Sequence, residues 1–213
     1  MEGVFPKVVF TLFGVIPVRD TVISTWAMMA IILGVVYILR QSMPEALEMV
    51  VDFVSDLVSD VIGRPADPFV PFLGAIALFV TVANNLGLFP FLVTPTRDIN
   101  TPLAMALVVF CAVHYFGIRE KGLWGYFKGL SSPIFMLPLE IIGQLSRTMS
   151  LTLRLFGNVI SSEFIVAVIF TLVQPVAPLP MMALGAVSGV LQGYIFTVLA
   201  SNYIASALDH SEI

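Results

Sequence analysis

The sequence carries little charge. Only 11% of its 213 residues are Asp, Glu, Lys or Arg, against about 25% in soluble domains. The few basic residues do not cluster, which excludes the electrostatic footprint of a nucleic-acid-binding protein. Instead, 58% of the residues are hydrophobic, and they form several runs of roughly 20 residues, the length of a transmembrane helix. We therefore predict one polytopic, all-α membrane domain over residues 1–213.

Motifs of catalysis and secretion are also missing. The sequence contains neither a GxxxxGK[ST] phosphate loop nor an HExxH zinc motif, so it predicts no ATP binding, no metal and no cofactor. The only cysteine, Cys111, forbids an internal disulfide. The N-terminus does not resemble a signal peptide, because Pro6 and Lys7 interrupt its first apolar stretch. A bacterial inner membrane is the simplest location.

The first part of the chain divides into short segments. We predict an irregular or interfacial segment over 1–20, a first span over 21–39 and a helical hairpin over 69–118. Residues 45–62 have the period of an amphipathic helix lying along the membrane surface. Its polar face is either solvated or docks a basic partner, and consists of Glu45, Glu48, Asp52, Asp56 and Asp60.

Positive charges orient these segments. The loop 119–129 is the most basic one, and the positive-inside rule places such loops in the cytoplasm. The N-terminus and the loop 94–101 then lie outside. The basic residues assigned to the cytoplasmic side are Arg40, Arg64, Arg119, Lys121 and Lys128, against Lys7, Arg19 and Arg97 on the other side.

Two long helices are predicted in the last third. Residues 139–174 contain no proline. As one helix they would measure roughly 54 Å, whereas the hydrocarbon core is only about 30 Å thick. The helix must therefore tilt, protrude or both. The segment "QPVAPLP" at 174–180 ends it, and a second long helix follows over 181–207.

A line of polar residues follows one face of the first long helix. At about 100° per residue, Glu163 lies on the face opposite Arg154. The residues near Arg154 on the wheel are Glu140, Arg147, Ser150, Asn158 and Ser161. Intramembrane charges face protein or water and by default mark an ion path. For Glu140 and Arg147 a stabilising salt bridge is the alternative. Arg154 has no carboxylate three or four residues away, so its partner must come from elsewhere or from another protein.

The second long helix carries a glycine stripe. Gly185, Gly189 and Gly193 repeat every four residues, the small-xxx-small pattern of closely packed membrane helices. We expect this stripe to pack on the preceding helix and to bring Gln192 toward Asn158 or Glu163. Ordinary interhelical hydrogen bonding is the alternative role for Gln192.

These motifs resemble a known family. "PLEIIGQLSRTMSLTLRLFGNVISSE" and "LQGYIFTVLASNY" closely resemble the signature segments of subunit a of F-type ATP synthases, and "TRDINTPLAMAL" and "HYFGIREKG" occupy similar places. The resemblance covers about residues 45–207. It implies one spanning helix, an in-plane helix, a two-helix hairpin and two long tilted helices against a rotor ring. It also implies membrane lipid, the c-ring, the peripheral-stalk b subunits and the rest of the F1Fo complex as partners.

The resemblance further implies a role for each polar residue. Arg154 matches the arginine that faces the c-ring, where its fixed charge would attract the ring's ionised carboxylate and block leakage. Asn158, Glu163 and Gln192 would line the outer of two offset half-channels, with Glu140 and Ser150 on the cytoplasmic route. Some relatives have a histidine at the position of Gly185 in this chain. Both H⁺ and Na⁺ fit the residues as the coupling ion.

Two other classes of protein also place charges in a membrane. A secondary ion-coupled transporter would show internal repeats with paired broken helices, and the first half of this chain has no counterpart of "RLFGN". A membrane scaffold would explain the glycine stripe but not Arg154. The sequence therefore favours the ion-translocating stator subunit of a rotary ATP synthase.

Overall fold

A short β-hairpin precedes the helices. The computed structural model describes residues 8–12, 16–89, 92–130, 136–172 and 178–209. Strand β1 (Val8–Leu12) pairs antiparallel with β2 (Ile16–Arg19), with Leu12 opposite Ile16 and an irregular register near Val8. The expectation of irregular backbone is wrong for these residues, whereas the interfacial location stays a prediction. Their valine, isoleucine and phenylalanine content favours extended backbone.

Helices α1 and α2 occupy the predicted first span and amphipathic helix, and the position of α2 along the membrane surface stays a prediction. Helix α1 covers Asp20–Ser42, and α2 covers Pro44–Ile62 with Pro44 in its first turn. Gly63 ends α2 in a left-handed conformation at φ 73°, which glycine adopts without steric cost. Val54, Val58 and Ile62 of α2 are buried. All five acidic residues of its polar face are exposed.

The helical hairpin extends further than predicted. Helix α3 covers Val70–Asn85, and α4 covers Asn100–Leu130 with a break at Gly122, where φ is 70°. Between them lie short 3-10 turns at Leu86–Leu88 and Pro95–Arg97. The prediction of a loop over 119–129 is therefore wrong. Lys121 Nζ donates to the Ala207 carbonyl at 2.8 Å and holds this end of α4 on the last helix.

The last two helices are both long, as predicted, and their tilt stays a prediction. Helix α5 covers Met136–Leu172, or 37 residues, and α6 covers Pro178–Asp209, or 32 residues. At about 1.5 Å per residue, α5 is roughly 55 Å long and must tilt or protrude. In the described part of the chain, α1, α3, α4, α5 and α6 are each long and apolar enough to cross a membrane. The chain is a multi-pass, all-α membrane protein with one amphipathic helix.

Helix α6 is the centre of the packing. It contacts α2, α3, α4 and α5, and its fully buried side chains include Phe196 and Ile204. These residues join Leu73 and Val80 of α3 and Leu155 of α5 in the main hydrophobic cluster. The opposite faces of α5 and α6 stay largely exposed and apolar. In a membrane such faces meet lipid or another membrane protein.

Candidate functional site: a polar cavity and an exposed arginine

A cavity of about 460 Å³ opens where α3, α5, α6 and the 92–97 loop meet. Most of its lining is apolar, with Phe170 and Met181 among the larger side chains. Its polar lining comes from Asn84, Thr94, Arg97, Asn158, Ser162 and Glu163. The structure thus brings Asn158 and Glu163 together, although they lie on different faces of α5. A few polar groups in an apolar cavity are typical of a ligand or ion pathway.

Asn158 ties the two long helices together. The Ser188 hydroxyl of α6 donates to the Asn158 Oδ1 at 2.8 Å. Gly185 and Gly189, one turn apart, line the same cavity from α6. A Cβ at Gly185 would lie 3.8 Å from the Ser162 Cβ, which is ordinary contact. Asn158 is therefore held at the cavity wall by a contact between the two long helices.

Glu163 lies half-buried in the same cavity. Thr94 and Arg97 line the same cavity from the loop between α3 and α4, and Arg97 forms an ion pair with Asp20 at 2.8 Å. Sequence reasoning missed Thr94 and Arg97 as parts of this site. The sequence of the loop that contains them is typical of a turn. Such a pattern predicts the turn itself but not which helices the turn contacts.

Arg154 lies on the exposed face of α5. The described part of the chain shows no hydrogen bond or ion pair for its guanidinium group. Leu153 and Met149, beside it on the helix, are 56% and 55% exposed. The same face carries small residues at three- and four-residue spacings, namely Ser146, Ser150, Gly157 and Ser161. Such a face allows another helix to approach closely, and the arginine lies in its middle.

The structure rejects a salt bridge between Glu140 and Arg147. Glu140 accepts a hydrogen bond from Gln144 Nε2 at 3.3 Å. The Arg147 guanidinium lies over the Tyr203 ring of α6, with Cζ 5.5 Å from the ring centroid. This geometry is a cation–π interaction. Arg147 therefore stabilises the contact between α5 and α6 without Glu140.

The glycine stripe packs mainly on α3, which corrects our expectation. A Cβ at Gly189 would lie 2.8 Å from Asn85 Nδ2, and a Cβ at Gly193 would overlap the Thr81 hydroxyl. Of the three glycines, Gly185 alone faces α5. The stripe correctly predicts which face of α6 packs closely against another helix. That helix is mainly α3 and not the preceding helix, α5.

Gln192 directly precedes Gly193 on α6 and is not among the described residues that line the cavity with Glu163. It is 5% exposed. Its Nε2 has no hydrogen-bond partner among the described residues. A buried amide usually has one, and an ordered water supplies it where protein does not. Of the histidines, His114 lies 2.8 Å from the Phe110 carbonyl oxygen, and His210 lies outside the described residues.

Comparisons with known proteins agree with these features. A family model described as "ATP synthase A chain" matches residues 22–205. The chain is 43% identical over 207 residues to ATP synthase subunit a 2 of Bradyrhizobium sp. (strain BTAi1 / ATCC BAA-1182), covering 92% of this chain and 93% of that protein. It is 37% identical over 216 residues to ATP synthase subunit a 2 of Picosynechococcus sp. (strain ATCC 27264 / PCC 7002 / PR-6), covering 97% and 93%. ATP synthase subunit a of Geobacter sp. (strain M21) is 37% identical over 204 residues, covering 90% and 89%. The chain belongs to the ATP synthase A chain family.

Proposed function

We propose that this chain is the ion-translocating stator subunit of a rotary ATP synthase. Two offset half-channels pass H⁺ or Na⁺ to and from carboxylates on a c-ring, which couples ion flow to ATP synthesis or hydrolysis. The chain is a non-catalytic subunit, and the reaction of ATP takes place elsewhere in the complex. The observation that carries the proposal is Arg154, exposed on an apolar membrane face without a carboxylate partner in the described part of the chain.

The energy of a membrane arginine supports a ring carboxylate as that partner. An arginine near the middle of a bilayer costs about 2.5–3.5 kcal/mol on the insertion scale. The small residues around Arg154 leave room for a partner helix, so a carboxylate on that helix can reach the guanidinium. An opposite charge at this distance favours the ionised carboxylate and hence the release of its ion. Because arginine stays charged, it acts as a fixed barrier to the passing cation.

The cavity supplies the outer half-channel in this proposal. Asn158 and Glu163 line it, and Gln192 would join the path through an ordered water, because its buried Nε2 has no hydrogen-bond partner among the described residues. Ser150 and Glu140 lie toward the other end of α5 and belong to the cytoplasmic half-channel. Gly189 and Gly193 bring α6 against α3 and so form the wall behind the cavity.

The partners and the location follow from the same function. The exposed face of α5 would contact the c-ring, and b subunits of the peripheral stalk would hold the chain against the ring's rotation. We place the complex in a bacterial inner membrane with the N-terminus outside. The Arg64–Glu120 ion pair at 3.0 Å and the Lys121 contact then lie on the cytoplasmic side.

Ion uptake by the assembled complex in liposomes tests the function directly. After ATP is added, the internal pH and ²²Na⁺ uptake are followed with and without a protonophore. We expect ion uptake that requires ATP. Acidification that the protonophore abolishes identifies H⁺ as the coupling ion, and Na⁺ uptake that survives the protonophore identifies Na⁺. An assembled, ATP-hydrolysing complex that moves neither ion would contradict the proposal.

The variant Glu163→Gln should slow ion transport without preventing assembly. Among the described residues, Glu163 is the one negative side chain that lines the cavity, so its loss removes both a cation attractor and a proton acceptor. Positioned acid–base groups contribute roughly 100-fold or more to proton transfer. Because water in the cavity can substitute in part, we expect a decrease of about tenfold, measured as ATP-driven uptake. Glu48→Gln, an exposed carboxylate on α2, is the matched control. An unchanged rate in Glu163→Gln would remove Glu163 from the ion path.

A further inference from the structure

Two arginine–aspartate dipeptides, far apart in the chain, bind each other reciprocally. Arg19 Nη1 lies 2.7 Å from Asp98 Oδ2, and Arg97 Nη2 lies 2.8 Å from Asp20 Oδ2. Each dipeptide therefore gives one cation and one anion to the other. We call these four residues the double clasp. It joins the end of β2 and the start of α1 to the loop between α3 and α4.

The double clasp fixes a loop that forms one wall of the cavity. Asp98 is buried and also accepts hydrogen bonds from the Asn100 backbone N–H at 3.2 Å and side-chain amide at 2.9 Å, so it caps α4. Thr96 donates to Asn84 Oδ1 at 2.8 Å and attaches the same loop to α3. The loop that carries Thr94 and Arg97 is thus held from both sides.

Only one residue of the double clasp lines the cavity. Among the residues that the structure describes, Arg97 and Glu163 are the charged side chains in its lining, and Asp20 lies next to it through its ion pair with Arg97 at 2.8 Å. Arg19, Asp20 and Asp98 are not among the described lining residues. The charges at and next to the cavity are therefore one positive group, Arg97, and two negative ones, Glu163 and Asp20. Burying an arginine at 8% exposure beside a cation path is costly unless it is paired.

We propose that Arg97, positioned by Asp20, sets the concentration of cation at which the cavity loads. Removing the charge of Arg97 leaves Asp20 and Glu163 and makes the cavity more negative, so cations load at lower concentration. Removing the charge of Asp20 leaves Arg97 opposed only by Glu163, so loading needs a higher concentration. The two neutral variants must therefore shift the loading concentration in opposite directions. A merely structural contact would shift both in the same direction.

The test measures ATP synthesis by the reconstituted complex and rests on the proposed function. A fixed K⁺/valinomycin potential drives synthesis, and the internal Na⁺ concentration or pH is varied. Arg97→Gln should lower the cation concentration for half-maximal rate by about fivefold, and Asp20→Asn should raise it by about fivefold. A fivefold change is roughly what one unit charge about 10 Å from the bound cation produces near a protein surface, after screening by salt. The double variant Arg97→Gln/Asp20→Asn should return to within about twofold of the original value.

Controls separate the possible outcomes. Arg64→Gln removes an arginine of an exposed ion pair that does not line the cavity, so the cation concentration for half-maximal rate should not change. If the single variants do not assemble, the exchanged variant Asp20→Arg/Arg97→Asp is tested instead. It keeps the ion pair but places the negative charge on the cavity wall, so the cation concentration for half-maximal rate should still fall. An unchanged concentration, or a shift in one direction for both single variants, would overturn the inference. Normal synthesis by Arg154→Ala in the same liposomes would instead overturn the proposed function.

Discussion

Replacing Arg154 by alanine abolishes ATP-driven ion pumping and leaves assembly of the complex largely intact. The side chain is exposed, and it makes no hydrogen bond or ion pair in the described part of the chain that folding would lose. In the proposed function, its removal takes away the fixed charge that would draw the ring carboxylate into its ionised state. Pumping is measured in liposomes, and assembly as the amount of complex recovered. Passive ion leak should rise, because the barrier between the half-channels is gone.

Arg147→Ala is the matched control for that experiment. Arg147 lies two turns away on the same helix, and its guanidinium is engaged with Tyr203 of α6. Loss of a cation–π contact costs about 0.5–2 kcal/mol, so this variant should lose some stability but retain pumping within about threefold. Normal pumping by the Arg154 variant, or equal loss in both variants, would refute the role given to Arg154.

Gly193→Val should prevent stable assembly of the chain. A Cβ at this position would overlap the Thr81 hydroxyl and lie 3.3 Å from the Thr81 Cα, so α6 and α3 would have to separate. Overpacking of this kind typically costs about 1–3 kcal/mol, and the second γ-carbon of valine adds to it. A loss of 1.4 kcal/mol is about tenfold in an equilibrium constant. We expect at least about tenfold less assembled complex, measured by recovery from membranes after mild detergent extraction.

Gly34→Val on α1 is the matched control. A Cβ at Gly34 meets nothing within 4 Å, so the same substitution should change recovery by less than about twofold. Normal recovery of Gly193→Val would show that α3 and α6 are not closely packed at this point. The comparison therefore tests the packing that forms the wall behind the cavity.

The helices and the polar line of α5 could be predicted because both are local patterns. The period of apolar and polar residues gives a helix and the face on which Arg154 lies. Which element packs against a given helix face is not determined by the local sequence. The glycine stripe predicts a close contact, but the choice of α3 over α5 depends on the whole bundle. Thr94 and Arg97 reach Glu163 from a loop more than 60 residues earlier in the chain, which no periodicity reveals.

Local reasoning also failed at two irregular places. The segment after Ile118 has glycine and basic residues that are typical of a loop, yet the helix continues to Gly122, where a positive φ divides it. At the N-terminus, interruptions by proline concealed the hairpin of β1 and β2. In both places the backbone is stabilised by distant partners, such as the Ala207 carbonyl for Lys121 and Asp98 for Arg19.

The position of the cavity has an electrical consequence. A potential of 100 mV is worth about 2.3 kcal/mol per elementary charge, and it falls mainly across material that excludes water. If the cavity is filled with water, the electrical potential inside it equals that of the aqueous phase to which it opens, as far in as Asn158. The voltage then falls largely across the dry packing beyond it, where Leu151 and Leu155 are buried. In the proposed function the field is then concentrated in a thin layer beside Arg154, so voltage would act on the transfer between chain and ring more strongly than on the filling of the cavity.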